Sequence, residues 1–225
     1  MNLDQLFQLI LNSRKTRTQI PKELKFLQPH YKNLKENFEQ SEDSQFKKNL
    51  ADFLAVVSIS LEENYDRNSL RFLEQGNGLQ SAEKWGQEFA INLAGDIGKD
   101  YNERYAQGNQ KSFDDLYKLS DILLPYMFKN GDTISAVDLL LDIEQLSKLN
   151  DHVRQDNYRR IYDYLVSSVD YASDTVEFEA ILDCILELSL QQNQYVDALR
   201  VAIRKNDKEK IEWIYRNAKD KATKI

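Results

Sequence analysis

The chain contains 225 residues, of which 41% are hydrophobic and 30% are charged, and its formal net charge is −7. This composition excludes a disordered chain, and a chain of this length can bury a core without a disulfide or a metal. The acidic balance argues against nucleic-acid and membrane-surface partners, and no apolar run approaches the roughly 18 residues of a membrane span.

The first predicted elements are two short helices within IPKELKFLQPHYKNLKENF, residues 20–38. Proline is favoured at the first helical position, because the N–H that it lacks would have no partner there. We therefore predict that Pro21 and Pro29 each begin a helix and that His30 lies in the first turn of the second. The stretch is interpreted as a joint between helices, and the alternative is a histidine site at His30.

The same stretch carries a basic group in an otherwise acidic chain. Residues 1–48 contain nine Lys and Arg against six Asp and Glu, whereas residues 49–225 contain 21 against 31. The candidate protein-contact surface consists of Lys22, Lys25, Lys32 and Lys35. This surface would meet an acidic partner, and the alternative is a solvated face without one.

Further along the chain, apolar residues recur every three or four positions, which is the period of an amphipathic helix. The predicted buried stripes are Phe46, Leu50, Phe53, Leu54, Val57 and Leu61; Tyr158, Ile161, Tyr162, Leu165 and Val169; Phe178, Ile181, Leu182, Ile185 and Leu188; and Tyr195, Ala198, Leu199, Ala202 and Ile203. Asp156 is the predicted N-cap of the second of these helices. Residues 136–143 are apolar almost all round, which predicts a helix covered on two sides.

Residues 85–105 predict one long helix with several packing partners. Its apolar residues are spaced by four throughout: Trp85, Phe89, Leu93, Ile97, Tyr101 and Tyr105. Each step of four shifts the stripe by about 40° around the axis, so different parts of the helix face different neighbours. Ala94, Gly95 and Gly98 would let a neighbour approach closely, or would kink the helix.

A faint internal repeat relates residues 134–146 to residues 195–207. Ala136 and Ala198 are 62 positions apart, which suits two helical hairpins of about 31 residues. Seven glycines, three prolines and no sustained apolar–polar alternation predict helices and no sheet. The predicted fold is all-α: a solenoid-like array of antiparallel helical hairpins, with about ten to twelve helices in a single domain spanning residues 1–225.

The sequence contains no recognisable catalytic, cofactor or metal constellation. His30 and His152 are the only histidines and Cys184 is the only cysteine, which is too few ligands for a Cys/His metal site. Cys184 lies among apolar helical residues and is predicted to be a small buried hydrophobe. A lone cysteine also excludes a disulfide within the chain and fits a reducing, intracellular setting. We predict a protein that is not an enzyme, and the alternative is catalysis by Cys184 with a histidine.

Several blocks, in order, resemble one family. PKELKFLQPHYKNLK (residues 21–35) closely resembles the N-terminal region of the large non-ATPase scaffold subunit of the 26S proteasome regulatory-particle base. Further matching blocks are LADFLAVVSISL, SLRFL, WGQEFAINLAGDIG, LPYMFKNGDTISAVDLLLDIEQLSKL, DNYRRIYDYLVSSVDY and DALRVAIRKNDKEKI. The pattern departs at Glu23 and Gln28, and the family's usual histidines are Gln87 and Asn92 here. The resemblance covers roughly residues 14–216.

The resemblance implies a non-catalytic scaffold that supports assembly and docking in ubiquitin-dependent degradation, in cytoplasm and nucleus. In the family, a ring of proteasome/cyclosome repeats follows the N-terminal helices, and the low glycine count agrees that no such repeat is included here. The implied partners are the base ATPase subunits and other regulatory-particle subunits, with ubiquitin or ubiquitin-like receptors bound through the absent ring. The alternative is a stand-alone α-helical-repeat adaptor unrelated to the proteasome.

Overall fold

The computed structural model describes residues 22–42, 45–59, 68–77, 86–108 and 112–218. Within these ranges it contains ten α-helices, three 3₁₀ segments and no strand. The α-helices are α1 (Tyr31–Gln40), α2 (Gln45–Ile59), α3 (Asn68–Gln75), α4 (Gln87–Ala106), α5 (Asp114–Asn130), α6 (Thr133–Asp142), α7 (Gln155–Ser168), α8 (Thr175–Gln191), α9 (Tyr195–Arg204) and α10 (Lys208–Asn217). The 3₁₀ segments are Lys22–His30, Leu146–Asp151 and Val169–Tyr171.

The chain divides into two compact units, residues 1–143 and residues 144–225. In each unit, helices pack mainly on their neighbours in sequence, as in helical-repeat arrays. This packing confirms the predicted all-α, solenoid-like fold class. The single domain over residues 1–225 stays a prediction.

In the first unit, α2 is buried on almost every side. All residues from Phe53 to Ser58 are buried, because α1 and α3 both pack on this helix. The predicted stripe is confirmed at Leu50, Phe53, Leu54 and Val57. It is wrong at Phe46, which is 49% exposed in the first turn, and Leu61 lies outside the described residues.

Helix α4 contacts α2, α3, α5 and α6, which confirms the prediction of one long helix with several partners. Its buried stripe consists of Phe89, Leu93, Ile97 and Tyr101. The stripe ends there, because Tyr105 is 65% exposed in the last turn; Trp85 lies outside the described residues. Helix α6 is covered by α4 and α5, as predicted for residues 136–143.

A close approach between α4 and α6 occurs at Gly98. A Cβ atom added to Gly98 would lie 2.9 Å from Cβ of Asp142, closer than atoms of two side chains normally come. Gly95, one turn earlier, has open space around the same added atom. Of the two glycines, Gly98 therefore allows the close approach that the sequence predicted.

In the second unit, the predicted stripe of α7 is buried at every position, from Tyr158 to Val169. Asp156 is not the N-cap, however. Arg154 is the extended N-cap residue, and its backbone N–H donates to the side chain of Asn157 at 2.7 Å. On α9, Ala198 and Ala202 are fully buried, but Ile203 is 59% exposed, so the predicted stripe is wrong there.

The repeat of 62 residues recurs in the turns of the two hairpins. In the α5–α6 turn, Asp132 N–H donates to Met127 O at 3.0 Å and Gly131 has φ of 84°. In the α8–α9 turn, Gln194 N–H donates to Ser189 O at 2.8 Å and Asn193 has φ of 57°. Each residue of the first turn is 62 positions before its counterpart in the second. In both turns, a residue with a left-handed backbone conformation follows the end of the helix.

The repeat also includes the helices before these hairpins. The left-handed residues after α6 and α9, Glu144 and Asn206, are again 62 apart. Helices α4 and α7 end at Ala106 and Ser168, with the same offset. The chain therefore contains two copies of a three-helix repeat, α4–α5–α6 and α7–α8–α9.

Candidate protein-contact surface

The predicted joint lies where a 3₁₀ segment passes directly into α1. Pro29 lies inside the 3₁₀ segment Lys22–His30, and His30 is the N-cap residue of α1 without a side-chain hydrogen bond. The prediction that Pro29 begins a helix is therefore wrong. A 3₁₀ segment can contain proline, because its φ angle is close to the one that the proline ring imposes. Pro21 lies outside the described residues. The exposed His30 belongs to a joint, as predicted.

The structure describes two of the four candidate lysines in full. Lys32 and Lys35 are exposed on α1, three positions apart and so on adjoining parts of its surface. The side chains of Lys22 and Lys25 lie outside the described part of the chain. The structure therefore does not test the predicted surface as a whole.

The surroundings of the two described lysines are not uniformly basic. Glu36 and Glu39 are exposed on the same helix, each four positions after a lysine, so α1 is electrically balanced along this side. Phe26, in the preceding 3₁₀ segment, is 79% exposed. A partner of Lys32 and Lys35 would therefore meet alternating charges on α1.

Cys184 is buried on α8, as predicted, with its Sγ 3.7 Å from Leu146 O. Burial and the nearby Glu187 raise the pKa of this thiol to about 12. A nucleophilic cysteine requires the opposite shift, toward the thiolate. The environment of Cys184 is therefore that of a structural residue.

We expect Cys184 in the native protein to react with an aromatic disulfide reagent at pH 8 at least about a hundredfold more slowly than in urea, because the thiolate is scarce and shielded. The release of the coloured thiol measures both rates. Equal rates, or rapid native labelling at pH 6, would contradict the structural assignment and support the cysteine–histidine enzyme.

A partly buried arginine joins three helices in the first unit. The Arg104 side chain on α4 is only 13% exposed and pairs with Asp100 at 2.6 Å, Asp115 at 2.8 Å and Glu74 at 3.5 Å. Burial raises the pKa of Asp115, but the hydrogen bond and charge of Arg104 outweigh this and leave it below its usual value. This cluster fixes α3 and α5 against α4.

In the second unit, a buried carboxylate joins α7 and α9. Asp197 is 7% exposed and accepts a hydrogen bond from Tyr158 Oη at 3.2 Å, while Tyr158 Oη also contacts Ser189 Oγ of α8 at 2.9 Å. Arg159 and Arg200 lie 3.4 and 3.3 Å from its two oxygens. Burial raises the pKa of Tyr158. The hydrogen bond with Ser189 partly opposes this shift, and the charge of Asp197 adds to it.

Sequence reasoning missed both clusters, because each depends on residues brought together from separate helices. The local indications were the spacing of Asp100 and Arg104 by four and that of Asp197 and Arg200 by three. Among the described residues, no group of His, Cys, Asp and Glu is arranged to hold a metal ion. Nor is any helix in these ranges long and apolar enough to span a membrane.

Comparison with known proteins identifies the family. The family model described as "RPN1 N-terminal domain" matches residues 1–225. The chain is 33% identical over 218 residues to the "26S proteasome non-ATPase regulatory subunit 2 homolog A" of Arabidopsis thaliana, covering 97% of this chain and 24% of that protein.

Two further relatives agree. The "26S proteasome non-ATPase regulatory subunit 2" of Dictyostelium discoideum is 33% identical over 207 residues, covering 92% of this chain and 23% of that protein. The "26S proteasome regulatory subunit RPN1" of Candida glabrata is 31% identical over 233 residues, covering 95% and 23%. The chain thus spans about a quarter of the length of these relatives, and it belongs to the RPN1 N-terminal domain family.

Proposed function

We propose that this chain is a non-catalytic scaffold and interaction segment of the 26S proteasome regulatory-particle base, acting in ubiquitin-dependent protein degradation. The observation that carries the proposal is the family match over residues 1–225, together with relatives named as proteasome regulatory subunits. The structure supports it through helices that pack mainly on their neighbours in sequence, as in helical-repeat scaffolds.

The proposed partners are the base ATPase subunits and other regulatory-particle subunits. Ubiquitin or ubiquitin-like receptors are proposed to bind through the family's repeat ring and not through the helices described here. The proposed location is the cytoplasm and nucleus, where the complex would act. The raised pKa of Cys184 supports a non-catalytic role, because its thiol is protonated at neutral pH.

Affinity purification from the source cells tests the proposal. The gene product is tagged at its own locus, and its bound proteins are identified by mass spectrometry after sedimentation. Recovery of base ATPases in fractions with proteasomal peptidase activity is the expected result. Recovery without any proteasome subunit would instead support the stand-alone helical-repeat adaptor.

The basic surface has its own test. We expect replacement of the four candidate lysines by alanine to lower recovery of base ATPases about tenfold. Each charge at the edge of an interface contributes a few tenths of a kcal/mol, so four together contribute about 1.4 kcal/mol, which is a tenfold change in affinity. The four substitutions are Lys22→Ala, Lys25→Ala, Lys32→Ala and Lys35→Ala.

The matched control replaces four exposed lysines elsewhere: Lys99, Lys118, Lys129 and Lys208. Both variants lose the same charge, so only a specific surface distinguishes them. Equal recovery from the two variants would remove the basic surface from the proposal and leave the proteasome assignment standing.

A further inference from the structure

Helix α9 carries an apolar stripe on the side that faces away from its core contacts. Val196, Leu199 and Ile203 are spaced by three and four, so they lie along one side of the helix. Val196 is 37% exposed, Ile203 is 59% exposed and Leu199 is half-buried. The opposite side, with Ala198, Val201 and Ala202, is buried where α9 packs on α8 and α10.

The first copy of the repeat carries an equivalent apolar stripe on α6. Ile134, Val137 and Leu141 on α6 are its counterparts at the offset of 62, and none of them is exposed. Helix α4 packs closely on α6, with Asp142 against Gly98. Helices α4 and α5 are the elements that pack on α6 in the first copy, and its three apolar residues are less exposed than their counterparts on α9.

In the second copy, α7 does not approach α9 in the same way. The counterpart of Gly98 on α7 is Arg160, whose side chain could not enter such a close contact. Tyr158 and Arg159 reach α9 through their long side chains, by way of Asp197. The apolar side of α9 consequently stays exposed, although its residues are as apolar as those of α6.

The charges beside the stripe are reversed between the copies. Asp138 and Asp142 on α6 correspond to Arg200 and Arg204 on α9. Arg200 and Arg159 have side chains 66% and 62% exposed, and both flank Asp197. Arg204 pairs with Asp170 at 2.6 Å and retains a side chain 38% exposed. The edge that is acidic in the first copy is therefore basic in the second.

We propose that this side of α9 binds an amphipathic helix of a partner protein, with an apolar face against Val196, Leu199 and Ile203 and acidic residues against Arg200 and Arg204. Helices are the elements that pack on α6 in the first copy, and an acidic edge complements the two arginines. The proposal concerns a surface other than the lysines of the N-terminal joint. It stands independently of the assembly to which the chain belongs.

The test uses two fluorescent synthetic helical peptides of 18 residues with the same leucine face. One peptide carries glutamates along one edge and the other carries lysines. Fluorescence anisotropy measures binding to the whole chain at low salt. The chain has a net charge of −7, so non-specific attraction would favour the lysine peptide.

We expect the glutamate peptide to bind about tenfold more tightly than the lysine peptide, because the local arginines outweigh the net charge. Ile203→Ser should weaken binding of both peptides about tenfold, since the stripe supplies the apolar contact. The double variant Arg200→Gln and Arg204→Gln should abolish the preference. Thermal unfolding of each variant checks that the fold is retained.

Three results would overturn the proposal. Preference for the lysine peptide, or binding that Ile203→Ser leaves unchanged, would show that the peptide does not use this surface. A concentration-dependent dimer that Ile203→Ser dissociates would assign the stripe to a second copy of the chain. Ile122→Ser, at a 39% exposed isoleucine on α5, is the matched control and should change nothing.

Discussion

Replacing Gly98 with alanine is expected to destabilise the first unit by about 1–2 kcal/mol, the difference between an overpacking cost and the gain in helix propensity. The new methyl group would lie 2.9 Å from Cβ and Cγ of Asp142, so the side chain of Asp142 and the end of α6 must both move. Urea unfolding monitored by circular dichroism measures the free energy of unfolding.

Gly95→Ala is the matched control, because Gly95 lies on the same helix with open space around the added atom. That substitution should stabilise the protein by about 0.5–1 kcal/mol through lower backbone entropy in the unfolded state. The two alanine variants should therefore differ by about 1.5–3 kcal/mol. Equal stability of the two variants would show that α4 and α6 do not meet at Gly98.

Arg104→Met is expected to cost about 2–3 kcal/mol at pH 7, less than for a fully buried pair because two of the acids are over 40% exposed. Removal of the guanidinium leaves Asp100, Asp115 and Glu74 close together without a cation, while methionine retains the apolar contacts of the stem. Arg216→Met is the control, since the Arg216 side chain is 77% exposed in its pair with Glu212 and should change stability by less than about 0.5 kcal/mol.

The pH dependence identifies the electrostatic part of this cost. The pKa of Asp115 in the folded protein lies below its usual 3.8, so its stabilising contribution is present above that pH. The contribution is lost as the pH falls through the folded pKa. The difference between wild type and Arg104→Met should therefore shrink between pH 4 and pH 2, and a constant difference would mean that the loss is one of packing.

The helices could be predicted from the sequence, because residues that pack in the core recur with the period of the helix. The residues from Phe89 to Tyr101 are an example. The prediction failed at helix ends: Phe46, Tyr105 and Ile203 continue the period beyond the neighbouring helices and are exposed. An N-cap depends on backbone angles, so residue type alone predicted Asp156, a typical capping residue, whereas the N-cap is Arg154.

The candidate surface was harder to predict. Lys32 and Lys35 were identified by composition, but composition does not show that Glu36 and Glu39 lie exposed beside them on one helix. The correspondence of Asp138 and Asp142 with Arg200 and Arg204 rests on the alignment of the two copies, which the turns define. Proximity between helices is set by tertiary packing, which one sequence does not specify residue by residue.

The packing of each helix mainly on its neighbours in sequence also has a consequence for folding during translation. Contacts close in sequence require only short loop closures, so the entropy lost before each contact forms is small. A hairpin such as α5–α6 can therefore form soon after it leaves the ribosome, before α8 and α9 are synthesised. The nascent chain would then expose little uncovered apolar surface at any moment, which limits its aggregation.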